Sequence, residues 1–213
     1  MHPKAYAYTH AHIFRNDLVS SNLKQKFEER VSIIAKPLAQ AGLKPNHVTL
    51  MGLVTASCSA LFYYYWRLNP LYLQVAGALV LLSGLLDAID GVLARISEKT
   101  TVLGGFLDSI TDRYSDAIVL GGIILSGLCD SLISIIALIG SLMVSYVRAR
   151  SEAFNVKMSG IGLAERAERM IILAIFSFST LYRVELLSYG VLLLAILSNL
   201  TVIQRILYFK QKN

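Results

Sequence analysis

The sequence predicts an all-α integral membrane protein, with six transmembrane helices behind an N-terminal amphipathic helix lying in the interface. Three observations carry this prediction. Mean hydropathy is +0.57 and 55% of the 213 residues are hydrophobic, beyond the usual range of a soluble domain. Aliphatic runs recur about every 25 to 30 residues along the chain. Positive charge is distributed alternately between the gaps separating those runs, as a multi-pass topology requires.

Crossing the hydrocarbon takes about 20 apolar residues. The first such run extends from about Val48 to Trp66, and the second from about Leu71 to Ile96, with Asp87 and Asp90 in its last turns. The third extends from near Gly104 to Leu128 and carries Asp108 and Asp112 in its first turns. The fourth covers Leu132 to Ser151, the fifth Ala164 to Tyr182 and the sixth Leu186 to Tyr208. Of 20 Lys and Arg residues, all except Arg67 and Arg183 then fall on one side. Six spans with both termini cytoplasmic satisfy that distribution, whereas five or seven spoil it. The predicted location is the cell membrane, with the aspartates facing the cytoplasm.

Residues 18 to 44 behave differently. Apolar Phe27, Val31, Ile34 and Leu38 recur at three- and four-residue intervals with charges between them. This pattern suits a helix on the membrane surface or against the cytoplasmic end of the bundle. Gly42 and Pro45 would end it. The chain thus divides into 1–46, a tail with a juxtamembrane helix, and 47–213, the membrane domain. No secretory signal pattern opens the sequence. His10 and His12 precede the fold and read as tail. Cys58 and Cys129 sit inside apolar runs and read as packed thiols. The net charge of +6 reflects orientation and anionic head groups rather than nucleic acid. Small pairs at Gly121-Gly122 and Gly140-Ser141 allow close helix approach, within one chain or between two.

The stretch DAIDGVLARISEKTTVLGGFLDSITD, residues 87 to 112, breaks the apolar pattern. Each aspartate in a spanning helix costs about 2.5 to 3.5 kcal/mol on insertion scales. Asp87 and Asp90 are three residues apart, Asp108 and Asp112 four, so each pair projects from one helix face. A short loop joins the two helices, so both pairs meet at one end of a hairpin. Four carboxylates this close cannot all ionise without a cation. All-oxygen donors select Mg²⁺, Mn²⁺ or Ca²⁺ over zinc. Gly91, Ala94, Gly104 and Gly105 let a ligand approach the backbone, and Arg95 adds a positive group beside that space.

These residues resemble the CDP-alcohol phosphotransferase family, whose motif is D-x2-D-G-x2-A-R-x8-G-x3-D-x3-D. Asp87, Asp90, Gly91, Ala94, Arg95, Gly104, Asp108 and Asp112 match it in residue and spacing. PNHVTL (45–50) looks like the element preceding the family's first span. SYVRARSE (145–152), GIGLAERAER (160–169) and TVIQR (201–205) are similar to the branch that forms phosphatidylinositol phosphate or its archaeal counterpart.

The resemblance implies a six-span enzyme, usually a homodimer, that displaces CMP from a CDP-linked lipid with an alcohol. It implies that Asp87, Asp90, Asp108 and Asp112 hold two divalent ions, Mg²⁺ or Mn²⁺, with Asp112 also the general base. Asn46, Thr49, Asp87, Gly91, Ala94, Arg95, Gly104 and Asp108 would bind the CDP-lipid. The acceptor is read from charge. Arg148, Arg150, Arg166, Arg169 and Arg205 exceed what a neutral alcohol needs, and guanidinium forks suit phosphate. The family branch resembled uses inositol 1-phosphate, so the resemblance makes that the expected acceptor, with glycerol 3-phosphate, also anionic, the alternative. Glu165 and Glu168 are expected to pair with Arg169. The lipid tails, isoprenoid ether or diacyl, are open, with a lean toward CDP-archaeol. A divalent-cation transporter is the remaining alternative, but it would place acids near the bilayer midplane rather than at one end.

Overall fold

The computed structural model describes residues 17–98 and 100–212, with side chains from residue 28 onward. His10, His12, Lys99 and the side chain of Phe27 lie outside the described residues. Among the described residues seven α-helices follow one another: α1 Asp17–Gln40, α2 Pro45–Tyr64, α3 Tyr72–Ile96, α4 Val102–Ser126, α5 Ser131–Glu152, α6 Arg166–Ser179 and α7 Leu186–Lys212. A single turn of 3₁₀ helix, Trp66–Leu68, precedes α3. There is no strand among the described residues.

Sequence sets the ends of these helices. Pro45 occupies the first turn of α2, where its missing N–H is no loss. Thr101 caps α4, its hydroxyl accepting from the Gly104 N–H at 2.9 Å. Asp130 caps α5 by accepting from the Ile133 N–H at 3.0 Å, and Gly127 closes α4 in the left-handed region. Pro37 sits inside α1, which continues through it to Gln40.

The chain is a membrane protein. Three helices, α3, α5 and α7, are long and apolar enough to cross a bilayer by themselves. The remaining expected spans correspond to helices whose composition is diluted at one end. Asn46 and His47 open α2, while Asp108, Asp112, Arg113 and Asp116 occupy the first four turns of α4. Helix α6 has only 14 residues. It begins at Arg166 rather than Ala164, because residues 153–165 form a loop.

Helix α2 packs on α3 and α4, α3 on α6, α5 on α7, and α4 on α5. Close approach is built from small residues. A Cβ on Gly122 of α4 would stand 2.7 Å from the Ala60 backbone of α2. On Gly140 of α5 it would stand 2.7 Å from Asn199 of α7. Both glycines are therefore used within the chain. The main core runs from Tyr63 and Leu73 through Ile123 to Leu187 and Val191. A second core pins α1 to α3 by fully buried Val31 and Ala35 against Ile89, Val92 and Leu93. Ile33 and Ile34 on the other face of α1 stay exposed. Helix α1 thus holds the end of α3 that carries Asp87 and Asp90.

Candidate active site

Helices α3 and α4 form the expected hairpin, joined by residues 97–101. One carboxylate oxygen from each of Asp87, Asp90 and Asp108 lies within 4.8 Å of the others. Asp90 is 4% exposed. Its Oδ2, like Oδ1 of Asp108, is buried without a hydrogen-bond partner. Buried carboxylate oxygens are normally satisfied, and three like charges at this range repel. A hard divalent cation resolves both conditions, so the donor set fits one.

Asp112 takes a different partner. Nη1 of Arg166, from the first turn of α6, lies 2.9 Å from Asp87 Oδ1 and in ion-pair contact with Asp112. The Nε of Arg166 lies 3.5 Å from Asp116 Oδ1, while Arg169 Nη2 donates to Asp116 Oδ2 at 2.6 Å. Arg169 also donates to the Ala164 carbonyl at 3.1 Å. Asp116 stands one turn beyond Asp112 on α4. The sequence motif ends before it, and only its four-residue spacing from Asp112 could have drawn attention to it. The expected pairing of Glu165 and Glu168 with Arg169 is replaced by Asp116. Glu165 turns instead to Arg205, at 3.2 Å.

Two cavities flank the carboxylates. The first, about 210 Å³, is lined by Asn46, Thr49, Gly91, Ala94, Arg95 and Gly104, with Asp90 and Asp108 at its floor. A Cβ on Gly105 would meet nothing within 4 Å, and one on Gly91 only Arg95 Nη1 at 3.9 Å. Backbone is therefore bare on that wall. Arg95 reaches back toward Glu28 of α1, at 3.6 Å. Asp87 lies at the opposite side of the acid group, beside Thr49 and Arg166.

The second cavity, about 340 Å³, has Asp108 and Asp112 on one wall and Arg113, Arg148, Arg166, Arg169 and Arg205 around it. Asp108 therefore faces both cavities. Four of the five arginines singled out from sequence converge here. Arg150 does not: its guanidinium stacks 4.6 Å from the Phe154 ring centroid. Neighbouring positions on α5 cannot face the same way, and Arg148 takes the inward one. Arg113, counted in the sequence only as orienting charge, joins the wall, its Nη1 bonded to the Ser109 carbonyl. Arg205 is 1% exposed. It spends Nε and Nη1 on the carbonyls of Ile161 and Val144, at 2.8 and 2.5 Å.

Comparison with known proteins shows the family. The protein-family model described as CDP-alcohol phosphatidyltransferase matches residues 43–203. The archaetidylinositol phosphate synthase of Pyrococcus horikoshii is 40% identical over 193 residues, 90% of this chain and 97% of that one. The phosphatidylinositol phosphate synthase of Streptomyces avermitilis is 32% identical over 196 residues, 83% of this chain and 76% of that one. Among solved structures, the phosphatidylinositol phosphate synthase of Mycobacterium tuberculosis in complex with manganese and citrate aligns with a TM-score of 0.72. Its sequence is 30% identical, and the match covers 84% of this chain and 88% of that one. The same enzyme with CDP-DAG bound gives a TM-score of 0.70 at 29% identity, covering 84% and 92%. With the motif complete and its residues gathered on one hairpin, this chain belongs to the CDP-alcohol phosphatidyltransferase family and is a membrane transferase of phospholipid synthesis.

Proposed function

We propose that the enzyme transfers the phospholipid group of a CDP-linked lipid to inositol 1-phosphate and releases CMP. The observation that carries this reading is Asp108, which lines both cavities and so stands where two substrates would meet. The cavity at Asn46, Thr49, Gly91 and Gly104 takes the cytidine diphosphate of the donor. The arginine-walled cavity takes the acceptor. Arg148, Arg166, Arg169 and Arg205 each already face a carboxylate, but five guanidiniums around one cavity can share a phosphate monoester, whereas neutral inositol offers them no anion. The names of the archaeal and actinobacterial relatives point to the same acceptor.

Chemically, the acceptor hydroxyl attacks the lipid-side phosphorus. A new P–O bond forms, the bond to CMP breaks, and the hydroxyl proton passes to Asp112. Asp87, Asp90, Asp108 and Asp112 would hold divalent cations, two by the family pattern and Mg²⁺ or Mn²⁺ by their oxygen donors. Bound there, such cations neutralise the diphosphate and the departing CMP. Arg166 and Arg169 orient the acceptor phosphate toward the donor.

In the membrane, α2 to α7 form six spans, with both termini and the acid hairpin on the cytoplasmic side. Helix α1 lies at the interface and buttresses α3. The enzyme works as a homodimer in the cell membrane. The test is CMP release by purified enzyme with Mg²⁺ and either CDP-archaeol or CDP-diacylglycerol. Inositol 1-phosphate should support turnover where free inositol does not, and labelled glycerol 3-phosphate should fail to compete. Turnover with glycerol 3-phosphate alone would reassign the acceptor.

A further inference from the structure

Arg166 occupies an unusual position. Its Nη1 contacts Asp87 and Asp112, carboxylates that belong to the cation-binding set. Yet Nη1 is buried and directs no hydrogen bond at either one. It is a charge contact without the geometry of a committed bond. The side chain is 18% exposed and also lines the acceptor cavity. The Nε edge of the same guanidinium is held by Asp116. Asp116 is itself fixed by Arg169, which is 5% exposed and tied to the Ala164 carbonyl. One edge of the fork thus makes a long hydrogen bond to Asp116, at 3.5 Å, and the other stands in close charge contact with Asp87 and Asp112 without a directed hydrogen bond.

A guanidinium and a divalent cation cannot both neutralise Asp87 and Asp112 at full strength. A phosphate in the arginine-walled cavity offers Nη1 the directed acceptor that it lacks. We propose that Arg166 is a counter-ion shared between the two halves of the site. Without acceptor it neutralises Asp87 and Asp112. When a phosphate monoester enters, it pivots on Asp116 toward that phosphate and releases both carboxylates to a divalent cation. Acceptor and cation then tighten one another's binding, since coupling between two sites is reciprocal. The enzyme thereby completes its cation site only when the acceptor is in place, which protects the CDP-lipid from hydrolysis. This inference rests on the acceptor assignment made above.

The test is Mn²⁺ binding to purified enzyme, read by electron paramagnetic resonance, with and without saturating inositol 1-phosphate. Binding of the labelled acceptor is measured in parallel, and chelation by the acceptor in solution is subtracted. In the parent enzyme, acceptor should tighten Mn²⁺ binding by about fivefold or more, the usual lower bound of allosteric coupling. Arg166→Gln should bind Mn²⁺ more tightly than the parent without acceptor, and acceptor should add under about twofold. Asp116→Asn keeps the Arg166 charge but removes its pivot. It should lose most of the coupling too, and it serves where Arg166→Gln does not fold. If acceptor binds the parent enzyme and leaves Mn²⁺ affinity unchanged, the shared counter-ion is overturned while the acceptor assignment stands. Full coupling in both variants would also overturn it, by showing direct phosphate–cation attraction. If inositol 1-phosphate does not bind at all, the acceptor assignment fails and takes the coupling with it.

Discussion

Arg205 donates from Nε to the carbonyl of Ile161 at 2.8 Å, tying the middle of α7 to the loop that leads into α6. Thr201, one turn earlier, accepts from the N–H groups of Leu163 and Ala164 at 3.1 and 3.0 Å. Together they fix the approach to Arg166 and Arg169. Charge content suggests Arg205 as a phosphate ligand, but its position makes it first a structural tie. Arg205→Ala strands the Ile161 and Val144 carbonyls and leaves the Glu165 carboxylate without its guanidinium. Breaking such a buried set costs about 3 to 5 kcal/mol. The unfolding temperature in detergent should fall, and KM for the acceptor should rise, while CDP-lipid binding is spared. Thermal unfolding and steady-state kinetics check both effects. An unchanged unfolding temperature would mean that the tie carries no stability.

The same loop separates two glycines that look alike in sequence. Gly160 and Gly162 both have positive φ, +74° and +125°. A Cβ on Gly160 would meet nothing within 4 Å, but one on Gly162 would stand 2.3 Å from Thr201 Cγ2. Gly160→Ala therefore carries only left-handed backbone strain, about 1 to 2 kcal/mol. Gly162→Ala adds a clash that displaces the loop from α7. Its unfolding temperature should drop well below that of Gly160→Ala, and its acceptor KM should rise. Equal behaviour of the two variants would contradict the packing of the loop on Thr201.

On the donor side the contrast is between Gly91 and Gly104. Gly91→Val places two methyl groups in the donor cavity, with only Arg95 Nη1 nearby, at 3.9 Å from the Cβ. Stability should be nearly unchanged and KM for the CDP-lipid should rise by at least about tenfold, the effect of 1.4 kcal/mol of lost binding. A Cβ at Gly104 would lie 2.9 Å from Thr101 Oγ1, the oxygen that caps α4. Gly104→Ala should thus cost about 1 kcal/mol of cap energy as well as donor affinity. Thermal unfolding beside CDP-lipid titration separates the two.

The hairpin, the acid pairs and the donor wall were legible because they depend on local spacing within one stretch of 26 residues. Three- and four-residue intervals dictate which side chains share a helix face, whatever the tertiary fold. The helix boundaries were legible for the same reason, apart from α6, where Arg166 and Arg169 are drawn to Asp116 and the preceding residues become loop. The arginines were harder. Charge alone could not tell Arg148, facing the cavity, from Arg150, facing Phe154, because that depends on how α5 is rotated against α7. Nor could it show that Arg166 sits on Asp87 and Asp112, residues more than 50 positions away. Asp116 escaped notice because its meaning comes only from Arg166 and Arg169 reaching it from α6.

Asp90 gives the sharpest test of what the acid cluster is for. It is 4% exposed, its Oδ2 has no partner, and a carboxylate oxygen from each of Asp87 and Asp108 shares the same 4.8 Å group. Were it a structural polar contact, Asp90→Asn would break a bond and destabilise the protein. As a cation ligand it does the reverse without metal: removing one of several like charges relieves repulsion. Unfolding temperature in EDTA should therefore stay level or rise in Asp90→Asn. Adding Mg²⁺ or Mn²⁺ should stabilise the parent, since a ligand that binds only the folded state raises its unfolding free energy. The variant should respond far less. Its kcat should fall by on the order of 10²-fold or more, because the lost cation supplied several kcal/mol of charge stabilisation. A parent enzyme indifferent to chelator, or a variant that keeps its metal response, would rule out Asp90 as a ligand.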